Sequence, residues 1–188
     1  MTSLPHAEPV FETERLAIRD WQPEDVDRML DMYSRADVVR FLGSVPTPMT
    51  SRKLADERIA RALSRNTEQR AAGSPCGWWA VTARSGGVVV GTVALVQIDG
   101  GRVDGGQVDV PVEVAWALHP DSQGHGYATE AARGALDRGH AAGLPEVLAL
   151  TDERNTASQA VCRRLGLELQ GVSEQFYGRP LLVWVSRV

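Results

Sequence analysis

The clearest hydrophobic pattern in the chain runs from Val112 to Ala142. Val112 to Leu118 is a short apolar run that predicts a strand. His119-Pro120 ends it, because proline has no N–H for a ladder and biases its predecessor to extended backbone. Gln123-Gly124-His125-Gly126-Tyr127-Ala128 follows as a glycine turn. Ala128, Ala131, Ala132, Ala135, Leu136 and Gly139 then recur at helical spacing, and such small side chains let a helix lie close on a sheet. Strand, turn and helix in this order gather unpaired backbone N–H groups into an anion site suited to phosphate.

The flanking pattern supplies the other elements. Arg15 to Arg19 alternates polar and apolar, which predicts a strand with one buried face. Pro23, Glu24 and Asp25 suit a first helical turn, and Val26, Met29, Leu30 and Tyr33 make one apolar stripe after it. Gly43 to Pro48 reads as a loop, and Thr50 or Ser51 as the cap of a second helix with the stripe Leu54, Ala55, Arg58, Ile59, Ala62 and Leu63. Asn66 to Gly77 reads as a connection, and Trp78 to Ala83 and Val88 to Val96 as a hairpin about Ser85-Gly86-Gly87. Gly91 within the second hairpin strand predicts a bulge or a close backbone approach. Asp99 to Gln107, with four glycines, reads as an irregular loop near the substrate. Glu146 to Leu150 predicts a strand and Thr156 to Leu165 a helix capped by Asn155 and closed at Gly166. A turn at Tyr177 to Pro180 and a strand from Leu181 end the chain. The expected fold class is α+β: a mixed, mostly antiparallel sheet, with a parallel pair where the alanine-rich helix crosses over. Residues 1–9 read as a loose tail and 10–188 as a single domain.

Composition narrows the function classes. Of 188 residues 43% are apolar and 23% charged, the net charge is −4, and Lys53 is the sole lysine. No basic cluster suits nucleic acid, and no apolar run approaches the roughly 20 residues a membrane span needs. The N-terminal stretch has neither the basic head nor the apolar core of a signal peptide, so a cytoplasmic location is expected. Cys76 and Cys162 have no metal-ligand spacing with the four histidines, and no metal is expected.

With these residues placed, the chain resembles the GNAT superfamily of acyl-CoA-dependent N-acyltransferases, and within it the RimJ/RimL-like branch of ribosomal-protein N-terminal acetyltransferases. The resemblance rests on Thr13-Glu14-Arg15-Leu16 with Arg19 and Pro23-Glu24-Asp25, on Val90 to Leu95, on Gln123 to Glu130, and on Asn155-Thr156-Ala157-Ser158 followed by Leu165-Gly166-Leu167. It implies a GNAT-like sheet of 6–7 strands with helices on both faces and a splayed parallel pair that holds acetyl-CoA. It also implies that Gln123, Gly124, His125, Gly126, Tyr127, Ala128 and Thr129 surround the coenzyme A pyrophosphate. Trp116, Ala117 and Leu118 would then run along the pantetheine, the Leu118 N–H would face the thioester oxygen, and Asn155 and Ser158 would complete the cofactor side. The implied acceptor is a primary amine such as a peptide N-terminus or a small molecule, and a homodimer is common in the family.

For the chemistry, Glu113 reads as the base that takes the amine proton, directly or through a water. Its alternative is a solvated or ion-paired residue on an alternating strand. Ser158 reads as hydrogen-bond donor to the leaving thiolate, or as an ordinary polar residue of a first helical turn. Where many relatives carry a tyrosine acid, this chain has Cys162, which reads as a buried packing residue. His119 reads as an alternative acid-base group or, by preference, as an exposed strand-end residue, and Trp21 is expected to pack at the surface. Arg52, Arg58 and Arg61 read as a solvated helix face in preference to a surface for an acidic partner. Tyr127 is assigned to packing or the adenine side, and His125 to a weak phosphate contact when protonated. The competing readings are a non-catalytic acyl-CoA-binding module and an acyltransferase for longer or acidic acyl groups or antibiotic amines. The acceptor side is expected to come from residues 41–63, 99–107 and 176–180.

Overall fold

The computed structural model describes residues 8–43, 45–98, 102–104 and 107–188. In chain order its elements are β1 (Phe11–Glu12), β2 (Leu16–Arg19), α1 (Val26–Tyr33), α2 (Ala36–Val39), α3 (Arg52–Ala71), β3 (Gly77–Ala83) and β4 (Val89–Gln97). They continue with β5 (Arg102–Asp104), β6 (Gln107–Asp109), β7 (Val112–Leu118), α4 (Tyr127–Ala141), β8 (Glu146–Thr151), α5 (Thr156–Leu165), β9 (Glu168–Ser173) and β10 (Leu181–Arg187). Among the described residues the main sheet has eight strands in the order β1-β2-β3-β4-β7-β8-β10-β9. Every neighbouring pair is antiparallel except β7 and β8, which run parallel across the α4 connection. This is the expected α+β architecture. The extra strands over the expected 6–7 are the two-residue β1 and the polar, glycine-containing β9, neither of which carries an apolar alternation.

Two helical layers cover the sheet. Ala131, Ala132, Ala135 and Leu136 of α4 and Val161, Cys162 and Leu165 of α5 pack with Trp79, Leu95, Val114 and Val147 on one face. Met29, Met32 and Tyr33 of α1 and Ala55, Ile59 and Ala62 of α3 pack with Trp21 and Ala80 on the other. Ser51 caps α3 as expected, its hydroxyl accepting the Leu54 N–H. The glycine-rich stretch contributes β5 and β6, a two-stranded ribbon rather than an irregular loop; residues 99–101, 105 and 106 of that prediction lie outside the described residues.

Three other expectations are corrected. Helix α3 continues to Ala71 through the stretch expected to be a connection. The reason is Asn66, 1% exposed, whose amide nitrogen donates to Asp20 Oδ1 (2.7 Å) and Trp78 O (3.1 Å) while its oxygen accepts the Trp78 N–H (2.8 Å). One side chain thus serves as backbone partner to the start of β3. Asn66→Ala is expected to lower unfolding free energy by about 2 kcal/mol, since it orphans these groups; urea titration measures it. Trp21, expected at the surface, is buried, stacked on Trp78 at 5.6 Å, with its indole N–H on Thr92 Oγ1. Arg58 does not simply face solvent: its guanidinium lies 4.1 Å from the Tyr33 ring centre and 4.8 Å from that of Trp78.

Candidate active site

Strand β7 is joined to β4 over seven register positions but to β8 at only one, Glu113 opposite Leu148. Beyond that point the parallel strands part. The His119 N–H donates to Val90 O on the β4 side (3.0 Å). Backbone groups alternate along a strand, so the N–H groups of Trp116 and Leu118 turn to the open side. A cavity of about 1180 Å³ occupies the opening, and Trp116, Ala117 and Leu118 line it.

At one end of the cavity α4 begins. Gly126, the residue before its first turn, has φ +79°, a left-handed conformation that favours glycine. The loop ahead of it is clamped from outside. Arg15 donates from Nη1 to His125 O (3.0 Å) and from Nε to Glu130 Oε2 (2.7 Å), and Thr13 Oγ1 donates to Glu130 Oε1 (2.6 Å). Burial alone would raise the Glu130 carboxyl, but the bonds from Thr13 and Arg15 outweigh it and hold it low. Glu130 therefore stays ionised, and Arg15 offsets a charge that would otherwise oppose an anion at the helix N-terminus. Gln123, Gly124, His125, Gly126, Ala128 and Thr129 all line the cavity. Tyr127 does not; its ring stacks on His125 at 5.6 Å with the Arg15 guanidinium 5.1 Å from its centre.

On the opposite wall Asn155 caps α5, its Oδ1 accepting the Ser158 N–H at 3.1 Å. Asn155 and Ser158 both line the cavity. Cys162 is fully buried in the core, and that burial pushes its thiol up to about 12, so it is a packing residue as expected.

Glu113 sits at the point where β7 and β8 part. It is 6% exposed, which removes the solvated alternative. Burial raises its carboxyl from the usual 4.5 to about 7, against hydrogen bonds from Tyr177 and from the Leu150 N–H that favour its charged form. The Tyr177 hydroxyl donates to Glu113 Oε2 at 2.6 Å. Beside them Asp152, held down to about 2 chiefly by the Arg154 guanidinium, stands 3.4 Å from Arg179 Nη1. Asp37, Arg40 and Phe41 also line the cavity, and Arg179 Nη2 donates to Phe41 O at 2.9 Å.

Tyr177, Arg179, Arg15 and Glu130 were assigned no chemical part from the sequence. The only local signal at the first pair was the turn formed by Tyr177-Gly178-Arg179-Pro180. His119 is corrected outright: it is buried, with Nε2 2.8 Å from Asp31 Oδ2 and Nδ1 accepting the Asp121 N–H, and it ties the end of β7 to α1. Among the described residues no group of three or more His, Cys, Asp or Glu could hold a metal, and no helix is long and apolar enough to cross a membrane.

Comparisons with known proteins agree with this geometry. An uncharacterized N-acetyltransferase of Bacillus subtilis strain 168, YoaA, is 23% identical over 169 residues, covering 89% of this chain and 88% of its own. An acetyltransferase from Agrobacterium tumefaciens C58 shares the fold with a TM-score of 0.72 at 20% identity, over 100% of this chain and 99% of that one. RimL, the ribosomal L7/L12 alpha-N-protein acetyltransferase, solved with coenzyme A, has a TM-score of 0.73 at 15% identity, over 96% and 98%. The family model of the acetyltransferase (GNAT) domain matches residues 15–168. A loop clamped at the start of α4, strands that part after one shared position and that family match all agree: the chain belongs to the GNAT acetyltransferase family.

Proposed function

We propose that this protein transfers an acyl group, acetyl in the first instance, from coenzyme A to a primary amine by direct attack within a ternary complex. The observation that carries the reading is the single cavity that joins the clamped loop before α4, the parted strands and the buried Glu113. These residues fit coenzyme A. The N–H groups from Gln123 to Thr129 suit the pyrophosphate, with Tyr127 packed outside against His125. The open backbone edge of Trp116, Ala117 and Leu118 suits the pantetheine amides, and the Asn155 amide nitrogen remains available on the facing wall.

The bound cosubstrate supplies a thioester, which an uncharged amine can attack. The Leu118 N–H, turned to the open side, stabilises negative charge as it builds on the carbonyl oxygen; such a donor is worth about 2.7–4 kcal/mol of activation energy. Glu113, with its carboxyl near 7, is about half ionised at neutral pH and takes the proton the nitrogen must lose. The Ser158 hydroxyl donates to the departing sulfur. A module that only bound acyl-CoA would have no use for a buried carboxyl poised near neutrality, which favours the enzyme reading.

The test is free-thiol release from acetyl-CoA with peptides bearing free N-termini, small amines and aminoglycosides, repeated with succinyl-CoA and longer acyl-CoAs. Release above the rate without amine is expected with at least one class. Coenzyme A binding with no release across the whole panel would sink the proposal and leave a binding module.

A further inference from the structure

The turn between β9 and β10 is fastened to the far side of the cavity. Arg179 donates to Phe41 O, beyond the end of α2, and faces Asp152, just past the end of β8. Between these anchors Tyr177 has φ +55°, the positive-φ non-glycine residue among those described. That conformation is disfavoured for so large a side chain and persists where surrounding contacts impose it. Its result here is to bring the phenol oxygen to 2.6 Å from Glu113 Oε2.

We propose that Tyr177 is the positioning residue of the acceptor site, its hydroxyl fixing the orientation and charge state of the Glu113 carboxylate that receives the amine proton. The proposal rests on the reading of Glu113 as base. Among the described residues the carboxylate has two donors, the Tyr177 hydroxyl and the Leu150 N–H. Without them, its burial would keep it protonated well above neutrality and useless as a base.

The surroundings leave Tyr177 as the side chain that tunes it. From β4 the residue opposite Glu113 is Val96, and from β8 it is Leu148, both apolar. Arg179 and Asp152 face one another. Asp37 and Arg40 line the cavity wall beyond α1. Removing the Tyr177 hydroxyl takes away a bond to the charged form, so the carboxyl's midpoint must rise.

The experiment compares the parent protein with Tyr177→Phe, which keeps the ring and the turn. The Glu113 side-chain carbon is followed by 13C NMR from pH 5 to 9, its signal assigned through Glu113→Gln. The midpoint is expected to rise by about one unit in Tyr177→Phe, the size of one hydrogen bond to a charged group. With the best amine of the acceptor panel, the acid limb of kcat/KM should move up by the same amount, and the rate should recover above the new midpoint. An unchanged midpoint, or an equal loss of rate at every pH, would overturn the proposal. The two readings fail separately: full turnover by Glu113→Gln discards Glu113 as base, whereas an inactive Glu113→Gln beside an unshifted Tyr177→Phe discards Tyr177 alone.

Discussion

Replacing Glu113 by glutamine is expected to lower kcat/KM by roughly 10²–10⁴-fold while making the protein more stable at pH 8. The loss follows from the removal of the proton acceptor, since glutamine keeps the shape of the side chain and cannot take a proton. The gain follows from burial. The Glu113 carboxyl ionises at about 7 in the folded chain and near the usual 4.5 once unfolded. Between those values the unfolded chain has released its proton and the folded chain retains it, so folding stability falls as pH rises.

Above pH 7 the accumulated penalty is about 3 kcal/mol, and below about pH 4.5 it vanishes because both states are protonated. Glu113→Gln removes the titration. Its amide oxygen can accept the Leu150 N–H and its NH₂ can donate to a Tyr177 hydroxyl turned round as acceptor. The expected result is a stability difference between parent and variant that is absent at pH 4.5 and opens toward pH 8. Guanidinium unfolding at four pH values checks it alongside thiol release. Equal stability at pH 5 and pH 8 would mean that Glu113 ionises normally and that its burial is relieved in solution. The combination is diagnostic, because a residue kept for structure would lose stability when replaced.

This balance explains which parts of the site were legible in the amino-acid order. The loop before α4 and the elements around it depend on local signals. Gly126 must be left-handed just before a helix, Asn155 must cap its own first turn, and the small residues of α4 mark the face that lies on the sheet. Each is a statement about neighbours within four residues. Glu113 was legible as a candidate but not as a buried group, because its desolvation comes from β8 and from a turn 64 residues further on. Tyr177 was legible only as part of a turn on the acceptor side, not as a partner of Glu113: nothing nearby announces that an arginine two positions on will bind Phe41 O, 138 residues away. Trp21, Asn66 and His119 were misread for the same reason. Polar or amphipathic side chains were taken as surface groups, while partners on distant elements satisfy their hydrogen bonds inside.

Gly91 lies between these cases, and it carries the second large expectation. The sequence marked it as a bulge or a close approach, and both occur: the β3–β4 register shifts beside it, between Val81 and Thr82, and Leu118 of the neighbouring β7 lies opposite it at close range. A Cβ built on Gly91 would stand 2.4 Å from Ala117 O and 2.6 Å from Leu118 Cδ2. The first neighbour is backbone held in a seven-position ladder, which yields only by displacing the strand. Gly91→Val is therefore expected to cost at least about 4 kcal/mol, beyond the usual range for overpacking, and to yield largely insoluble chain. Gly91→Ala, with the smallest side chain that tests the contact, should fold with a melting temperature lower by several degrees. In the folded remainder the added methyl pushes Ala117 and Leu118 toward the opening between β7 and β8. Coenzyme A affinity measured by calorimetry should then fall by more than the stability loss alone explains, because the displaced segment is the edge proposed to hold the pantetheine. A Gly91→Ala protein with parent-like melting would show that β4 and β7 can part at this point. Unchanged coenzyme A affinity in a destabilised Gly91→Ala would instead separate the sheet contact from the binding edge, and move the pantetheine away from residues 116–118.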